Sequence, residues 1–316
     1  VEKKKEQGKG YQVDLVIPVY KPTKEFQKTL KRIEAQTRKP DRIILINTEK
    51  KYFDASCLEG ISNVEVHHIK KEEFDHGGTR NQAAKLSSAD IIIFMTQDAI
   101  PANQHMIEAL LQPFEDEQVS VVYGRQMADK KKSPIEAYTR TFNYPTISKK
   151  KTKEDLDTLG IKTFFCSNVC AAYRKKDYDQ AGGFVTETIF NEDMILASKF
   201  IEMGKAVYYC SDAKVWHWHD YSAMEQFHRN FDLAVSQQTY GGLFLKVKSE
   251  SEGIRLVIST LKHLLHTGKW YLIPKLIWQS GWKFLGYRFG KSYEKLPKWL
   301  IKKCTMNPSY WEKIFQ

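Results

Sequence analysis

The stretch Ala89-Asp90-Ile91-Ile92-Ile93-Phe94-Met95-Thr96-Gln97-Asp98-Ala99-Ile100-Pro101 decides the fold. Ile91 to Met95 are apolar without interruption, the pattern of a strand covered on both faces, as central parallel strands are. The run stops at polar residues, and Pro101 cannot donate to a sheet ladder, so the strand ends before it. In an open α/β sheet, ligands bind just beyond the carboxyl ends of such strands. Asp98 stands at that place. A turn, or a cap for a helix beginning near Asn103, accounts for Asp98 equally well from this stretch alone.

Outward from here the chain alternates. Residues 13–20 read as a first strand that closes on Pro18-Val19-Tyr20 and a Pro-rich turn. Thr23 can cap a helix over 24–35, in which Phe26, Leu30 and Ile33 recur at helical spacing. Residues 42–46 form a second strand ending in Asn47-Thr48, and 64–69 a third. A polar loop over 70–78 enters a helix through Gly77-Gly78-Thr79-Arg80-Asn81. After the central strand come a helix over 103–114 and a strand over 119–123. This order predicts a βαβ, mostly parallel sheet. Residues 130–159 are charged and weakly periodic, reading as a flexible insertion or a loosely packed helix. Beyond them, 164–173 is apolar enough for a strand, and 192–203 reads as a helix stopped by Gly204. Two short strands are expected at 206–210 and 214–218, then a helix over 223–238. In the second of these strands Val215, His217 and His219 share one face.

Composition bounds the rest. With 316 residues, 42% hydrophobic and 13% aromatic, the chain is globular and has ample core. Five cysteines, an odd number with no CxxC pair, argue against a disulfide framework or zinc ribbon and suit a reducing compartment. The lysine-rich stretch 1–10 reads as a basic tail, not a secretory signal, and no apolar run reaches the roughly 20 residues that span a bilayer. A cytosolic protein is therefore expected. The net charge of +11 is local: residues 241–316 hold 14 Lys+Arg against 4 Asp+Glu, the other 240 residues 35 against 34. Five of the seven tryptophans fall in that last quarter. There Ile254, Val257, Ile258, Leu261, Leu264 and Leu265 fit a single helical face. Basic charge beside Trp on amphipathic helices is the composition of a segment lying in a membrane interface. Packing on the main domain is the competing reading. A nucleic-acid surface ranks lower, because Trp and long aliphatic runs contribute little to phosphate contacts. The chain thus divides into a tail (1–10), a main domain (11–240) and a basic, Trp-rich helical region (241–316).

Four polar clusters can carry chemistry. Asp98 is one. In the second, Phe74 to Asn81, Gly77 and Gly78 open a helix so that backbone N–H groups can approach an anion, with Arg80 one turn in. The third is Asn191-Glu192-Asp193 at a helix start, where capping is the ordinary role but adjacent carboxylates also supply a base of raised pKa. The fourth is His217-Trp218-His219-Asp220. His217 beside a carboxylate suits Mn²⁺-type ions; zinc is disfavoured, no cysteine or further histidine sitting at a closing interval.

Together these strings resemble inverting family 2 glycosyltransferases of the GT-A fold, a Rossmann-like, mostly parallel sheet with flanking helices, here followed by a C-terminal helical extension. Glu73-Phe74-Asp75-His76-Gly77-Gly78-Thr79-Arg80-Asn81, Thr96-Gln97-Asp98-Ala99-Ile100-Pro101 and Cys166-Ser167-Asn168-Val169-Cys170-Ala171-Ala172-Tyr173-Arg174 are similar to the rhamnosyltransferase branch. The resemblance covers about residues 11–235. It implies transfer of rhamnose from dTDP-L-rhamnose to a lipid-linked saccharide in bacterial cell-surface polysaccharide synthesis, on the inner face of the cell membrane. It assigns a divalent metal (Mn²⁺ or Mg²⁺) to Asp98 and His217, and the catalytic base to Asp193 in the acceptor-site pair with Glu192. Nucleotide-sugar contacts fall to Pro18, Val19, Tyr20, Asn47, Thr48, His76, Gly77, Arg80, Gln97 and Asp98, with Gln97 able to bond the donor sugar. Thr96 stands where a first Asp often does, and Asn47-Thr48 where many members carry Asp. Gln226-Phe227-His228-Arg229 lacks the Trp of processive members. A UDP-hexose transferase of the same fold and a non-catalytic nucleotide- or glycan-binding scaffold are the alternatives.

Overall fold

In the computed structural model, residues 10–244 and 250–315 are described; apart from Gly10 the basic tail lies outside them. The four strands β1 (Val13–Tyr20), β2 (Arg42–Thr48), β3 (Val64–Ile69) and β4 (Ile91–Met95) lie parallel in the order β3-β2-β1-β4. Period-two alternation sends their side chains into two cores. Leu15, Ile17, Ile43, Leu45 and Ile93 fill one, Val16, Ile44, Ile46, Ile92 and Phe94 the other. All five residues of β4 are buried, as the uninterrupted apolar run requires. Helix α1 (Lys24–Glu34) starts where the Thr23 hydroxyl accepts from the Glu25 N–H, and buries Phe26, Leu30 and Ile33. Helix α2 (His76–Leu86) makes the crossover to β4.

The second half corrects several expectations. After β5 (Ile100–Pro101) the helix expected over 103–114 is only α3 (Met106–Leu111), which tightens into a 3₁₀ turn at Pro113. Strand β6 (Val119–Met127) is longer than expected. The region read as a flexible insertion or a loosely packed helix holds one helix of ten residues, α4 (Pro134–Asn143), and also strand β7 (Lys149–Lys151) and α5 (Leu156–Leu159). Only the end of 164–173 is a strand, β8 (Cys170–Arg174), running antiparallel between β4 and β6. The sheet is therefore mixed. Helices α6 (Lys175–Gln180) and α7 (Glu192–Glu202) follow. The two strands expected at 206–210 and 214–218 are one, β9 (Ala206–Trp216), whose register against β6 shifts between Cys210 and Lys214. Such a bulge keeps a strand continuous while re-aiming its end. All five cysteines are buried free thiols.

The last helices are α8 (Ala223–Thr239), α9 (Gly241–Phe244), α10 (Glu250–His266), α11 (Ile273–Lys291), α12 (Lys298–Cys304) and α13 (Pro308–Ile314). Of these, α9, α11 and α12 pack on α8 while α10 lies against α4 and α11, and a third core joins Phe227, Phe231 and Val235 to Ile301, Cys304 and Trp311. Asp232 of α8 accepts from the Thr305 hydroxyl at 2.6 Å and the Met306 N–H at 2.9 Å, binding the far end of the chain to the same helix. Where α11 crosses α8 the two backbones touch. A Cβ at Gly286 would lie 2.1 Å from the Phe227 carbonyl oxygen, and one at Gly290 2.3 Å from that of Phe231. The expected single apolar face of α10 is only partly used. Leu264 is buried, whereas Ile254, Ile258 and Leu265 are exposed. No helix among the described residues is long and apolar enough to cross a membrane.

Because the oxygens facing Gly286 and Gly290 belong to backbone, a side chain there must push α11 away. Gly286→Val is expected to lower unfolding free energy by about 1–3 kcal/mol, the usual cost of overpacking, in a denaturant titration; wild-type stability would show that the helices do not pack this closely.

Candidate active site

The carboxyl end of β4 delivers Asp98, whose side chain is 44% exposed. His217 continues the β6 pairing one step past β9, its N–H donating to the Met127 carbonyl at 3.0 Å. Extended chain puts alternate side chains on one side, so His219 joins it, the two rings 4.8 Å apart. Nε2 of each histidine lies 3.4 Å from Asp98 Oδ2. The argument that no further histidine sits at a closing interval is thereby overturned: an interval of two suffices when the chain is extended. Asp98, His217 and His219 stand close enough that one ligand atom from each could reach a common metal ion.

The protonation of His217 follows from its other nitrogen. Nδ1 lies 3.0 Å from Gln126 Oε1, and Arg140 Nη1 donates to that same atom at 2.8 Å. Arginine can only donate, so the shared atom is the amide oxygen and Nδ1 carries a proton. In the neutral ring the Nε2 lone pair then faces the Asp98 carboxylate. Two lone pairs at that separation repel unless a proton or a metal cation lies between them, so the donor set can take either. Burial opposes ionisation of Asp98. Hydrogen bonding and attraction from His217, with the Thr96 hydroxyl, outweigh it and hold the carboxyl well below the usual range. Burial, with His217 beside it, pushes His219 down to about 4, leaving it a neutral ligand near pH 7.

The acid pair is built on strain. Asn191 sits at φ 66°, a left-handed conformation that Asn tolerates better than most residues. Its side chain donates to Ser236 Oγ on α8 at 3.2 Å. This turn starts α7 with Glu192 and Asp193 in its first turn. Glu192 lies 3.3 Å from Arg80 Nη1 and accepts from Asn168 Nδ2 at 3.2 Å. Asp193 accepts from the Asn168 N–H at 3.1 Å and the Met194 N–H at 2.8 Å. Burial would raise the Glu192 pKa, but Arg80 and His76 overcome that and keep it low. Asp193 goes the other way: burial, then the charge of Glu192, pushes its carboxyl up. The pair splits into a fixed anion and a proton acceptor.

The two clusters adjoin. Asn168 stands just before β8, which pairs with β4 at Cys170 and Met95, and the Thr96 N–H donates to the Val169 carbonyl. Gln126 spans them, donating through Nε2 to Ser167 Oγ at 2.9 Å while its oxygen holds His217.

Other expected contacts fall differently. Gly78 N–H is taken by Asp75 Oδ1, and Gly77 is needed because a Cβ there would meet the Val185 carbonyl oxygen at 1.9 Å. Packing, not an anion, explains these glycines. Arg80 is buried on Glu192 and the His76 carbonyl, inside the acid cluster. Gln97 uses both amide atoms on the Tyr20 backbone, tying the end of β4 to the end of β1. Val19 is buried, Pro18 partly exposed, and Tyr20 exposed, edge-on to Tyr52 at 6.0 Å. Asn47 and Thr48 are buried; Asn47 Nδ2 meets His68 Nδ1 at 3.0 Å while its Oδ1 has no hydrogen-bond partner. Gln126, Arg140 and the role of Asn168 escaped the sequence reading. Asn168 lies within a quoted motif, and His219 was marked only by its alternation with His217.

Residues 14–182 match the family model "Glycosyl transferase family 2". The O-antigen chain rhamnosyltransferase RfbN of Salmonella typhimurium is 38% identical over 310 residues, 96% of each chain. The O-antigen chain rhamnosyltransferase WbaN of Salmonella anatum is 35% identical over 309 residues, 95% of this chain and 96% of that one. These alignments run into the C-terminal helices, further than the stretch that carried the sequence resemblance. The mannosyltransferase PcManGT from Pyrobaculum calidifontis, solved with GDP-Man and Mn²⁺, superposes with a TM-score of 0.62 at 13% identity, over 92% of this chain and 89% of that one. S. aureus TarS 1-349 with UDP-GlcNAc gives 0.53 at 13%, over 90% and 91%. These two likenesses bear on the fold, which is GT-A.

Gln126 can be tested through His217. Gln126→Leu removes the Nδ1 acceptor and should weaken Mn²⁺ binding about 10- to 100-fold, the usual effect of losing an outer partner of a ligating histidine. Gln126→Glu keeps an acceptor and should restore most of it in equilibrium dialysis. Equal affinity in all three proteins would remove Gln126 from the site.

Proposed function

Since the chain belongs to glycosyl transferase family 2 and is a glycosyltransferase, we propose that it transfers rhamnose from dTDP-L-rhamnose to a lipid-linked saccharide in O-antigen synthesis. The observation that carries this reading is Asn168, bonded to both Glu192 and Asp193 from the head of the strand that lies against the end of β4, next to Asp98. The full-length similarity to two O-antigen rhamnosyltransferases supports the donor sugar.

In this reading the acceptor hydroxyl oxygen bonds to the anomeric carbon as the bond from that carbon to the diphosphate oxygen breaks, with inversion. Asp193 takes the hydroxyl proton; its raised pKa makes it a stronger base than an ordinary carboxylate. Glu192 stays ionised against Arg80 and sustains that basicity, so Arg80 serves the base and not the leaving group. Asn168 aims both carboxylates. Asp98, His217 and His219 would hold a divalent cation, and bound there it supplies positive charge to the departing diphosphate. Two imidazoles with one carboxylate suit Mn²⁺ better than Mg²⁺, which prefers all-oxygen sets. The enzyme works peripherally on the inner face of the cell membrane, residues 241–316 toward the lipid.

Asp193→Asn should reduce transfer by about 10²- to 10⁴-fold with the fold intact, the range for losing a general base; near-wild-type transfer would exclude it as the base. The pH profile adds a signed check. Asp193 acts only when ionised, so kcat/KM should rise with pH through its apparent pKa, above the usual carboxylate value of about 4. Glu192→Gln removes the neighbouring negative charge and should move that limb to lower pH. For the donor, thermal shifts with Mn²⁺ should favour dTDP-rhamnose over UDP-glucose and UDP-galactose, since the tighter ligand stabilises the fold more; a larger shift with a UDP-hexose would replace the donor assignment.

A further inference from the structure

Helix α11 has two faces with different tasks. Inward, Gln279 Nε2 donates to the Tyr221 carbonyl at 3.2 Å, and Lys275 pairs with Asp220 at 3.6 Å. Both partners lie within two residues of His219. Two and three turns further along, Gly286 and Gly290 press against α8, whose Ser236 holds the Asn191 turn that presents Glu192 and Asp193. Outward, Ile277 and Trp278 are 63% and 62% exposed, with Phe284 and Leu285 two turns on also exposed. Ile273, Pro274, Ile277, Trp278 and Leu285 line a shallow apolar groove of about 630 Å³. Trp270 and Tyr271, just before the helix, are also exposed. The packed neighbour α10 adds a second exposed stripe, Ile254, Ile258 and Leu265.

Charge selects what covers this surface. From Gly253 to Tyr293 there is no Asp or Glu, while seven Lys and Arg fall in the same stretch. A protein partner or a second copy would place these cations against one another or need an acidic patch. Lys275 is held by Asp220 and Lys283 is largely buried, but an anionic bilayer accepts the exposed Arg255, Lys262 and Arg288 and takes Trp at its headgroup level.

Building on the peripheral membrane reading above, we propose that the outward face of α11, with the exposed stripe of α10, seats the enzyme on an anionic phospholipid surface, α11 acting as the spacer between bilayer and reaction centre. An α-helix with its side chains is about 10–12 Å across. The histidine loop is bonded to the inner side of α11, so the His219–Asp98 cluster stands about one helix diameter above the lipid. A saccharide on a membrane-embedded carrier then reaches the acid pair without leaving the bilayer. Dispersed exposed Trp on a solvated face would bind no vesicle.

Sedimentation of the full chain with vesicles tests this without any activity measurement, so its failure is separable from failure of the rhamnosyl reading. Wild type should sediment with phosphatidylcholine vesicles containing 30% phosphatidylglycerol and far less with phosphatidylcholine alone. Ile277→Glu/Trp278→Glu alters two side chains that are mostly in solvent, so the fold should survive, as far-UV circular dichroism will check. It should lower vesicle affinity at least tenfold, leaving Mn²⁺ binding unchanged. Added salt should weaken wild-type binding. Unchanged sedimentation of the double variant overturns the proposal. So does a wild-type dimer in light scattering that the double variant converts to monomer, because the face would then be closed by a second copy.

Discussion

One amide holds the two halves of this site in register. Gln126 turns its oxygen to His217 and Arg140 and its nitrogen to Ser167 and Tyr144. A primary amide presents acceptor and donor on opposite sides, and no charged or apolar side chain of that length can satisfy both sets. The oxygen fixes which nitrogen of His217 is free for a cation; the nitrogen fixes the loop whose next residue, Asn168, holds Glu192 and Asp193. The residue comes from β6, whose register against β9 is offset by the bulge between Cys210 and Lys214. Without that offset the end of β9 would face elsewhere, and His217 would not meet the amide.

The acid pair shows how neighbouring carboxylates acquire different roles. Both are crowded by the same protein, and both accept from Asn168, yet only Glu192 has Arg80. A buried cation can stabilise one anion strongly and a second one less, so the remaining carboxylate bears the desolvation and the repulsion together. The left-handed backbone at Asn191 belongs to this arrangement. It is held from outside the turn by Ser236, on a helix that contributes no side chain to the acid pair itself.

Much of this was legible in the chain. Continuous apolar runs marked β1, β2 and β4, because burial on both faces leaves little room for polar residues, and the place of Asp98 followed from where β4 must end. Asp193 and His217 stood out by residue type and order. What escaped was set by tertiary context. Residues 164–169 are as apolar as a strand, but their backbone loops out so that Ser167 and Asn168 can reach the site. Charged residues at 130–159 concealed an ordered region, since Lys151 buries its ammonium among the carbonyls of Lys162 and Phe165 and the Tyr123 hydroxyl. Gln126 and His217 are 91 residues apart, and no local pattern announces such a pair. The glycines at 77 and 78 invited an anion, whereas close packing on Val185 and capping by Asp75 account for them.

The contact of Gly286 and Gly290 with the carbonyls of α8 carries a lesson for building chimaeras from this enzyme and its relatives. A graft that exchanged only the C-terminal helices, with its seam after α8, would bring a foreign helix onto a backbone surface shaped for two missing side chains. The misfit would spread through Ser236 to the Asn191 turn, and a loss of activity would be mistaken for a change of acceptor preference. The exchangeable unit is α8 together with everything after it. Acceptor choice, if it resides in those helices, can be moved between enzymes only along with the helix that braces the acid pair.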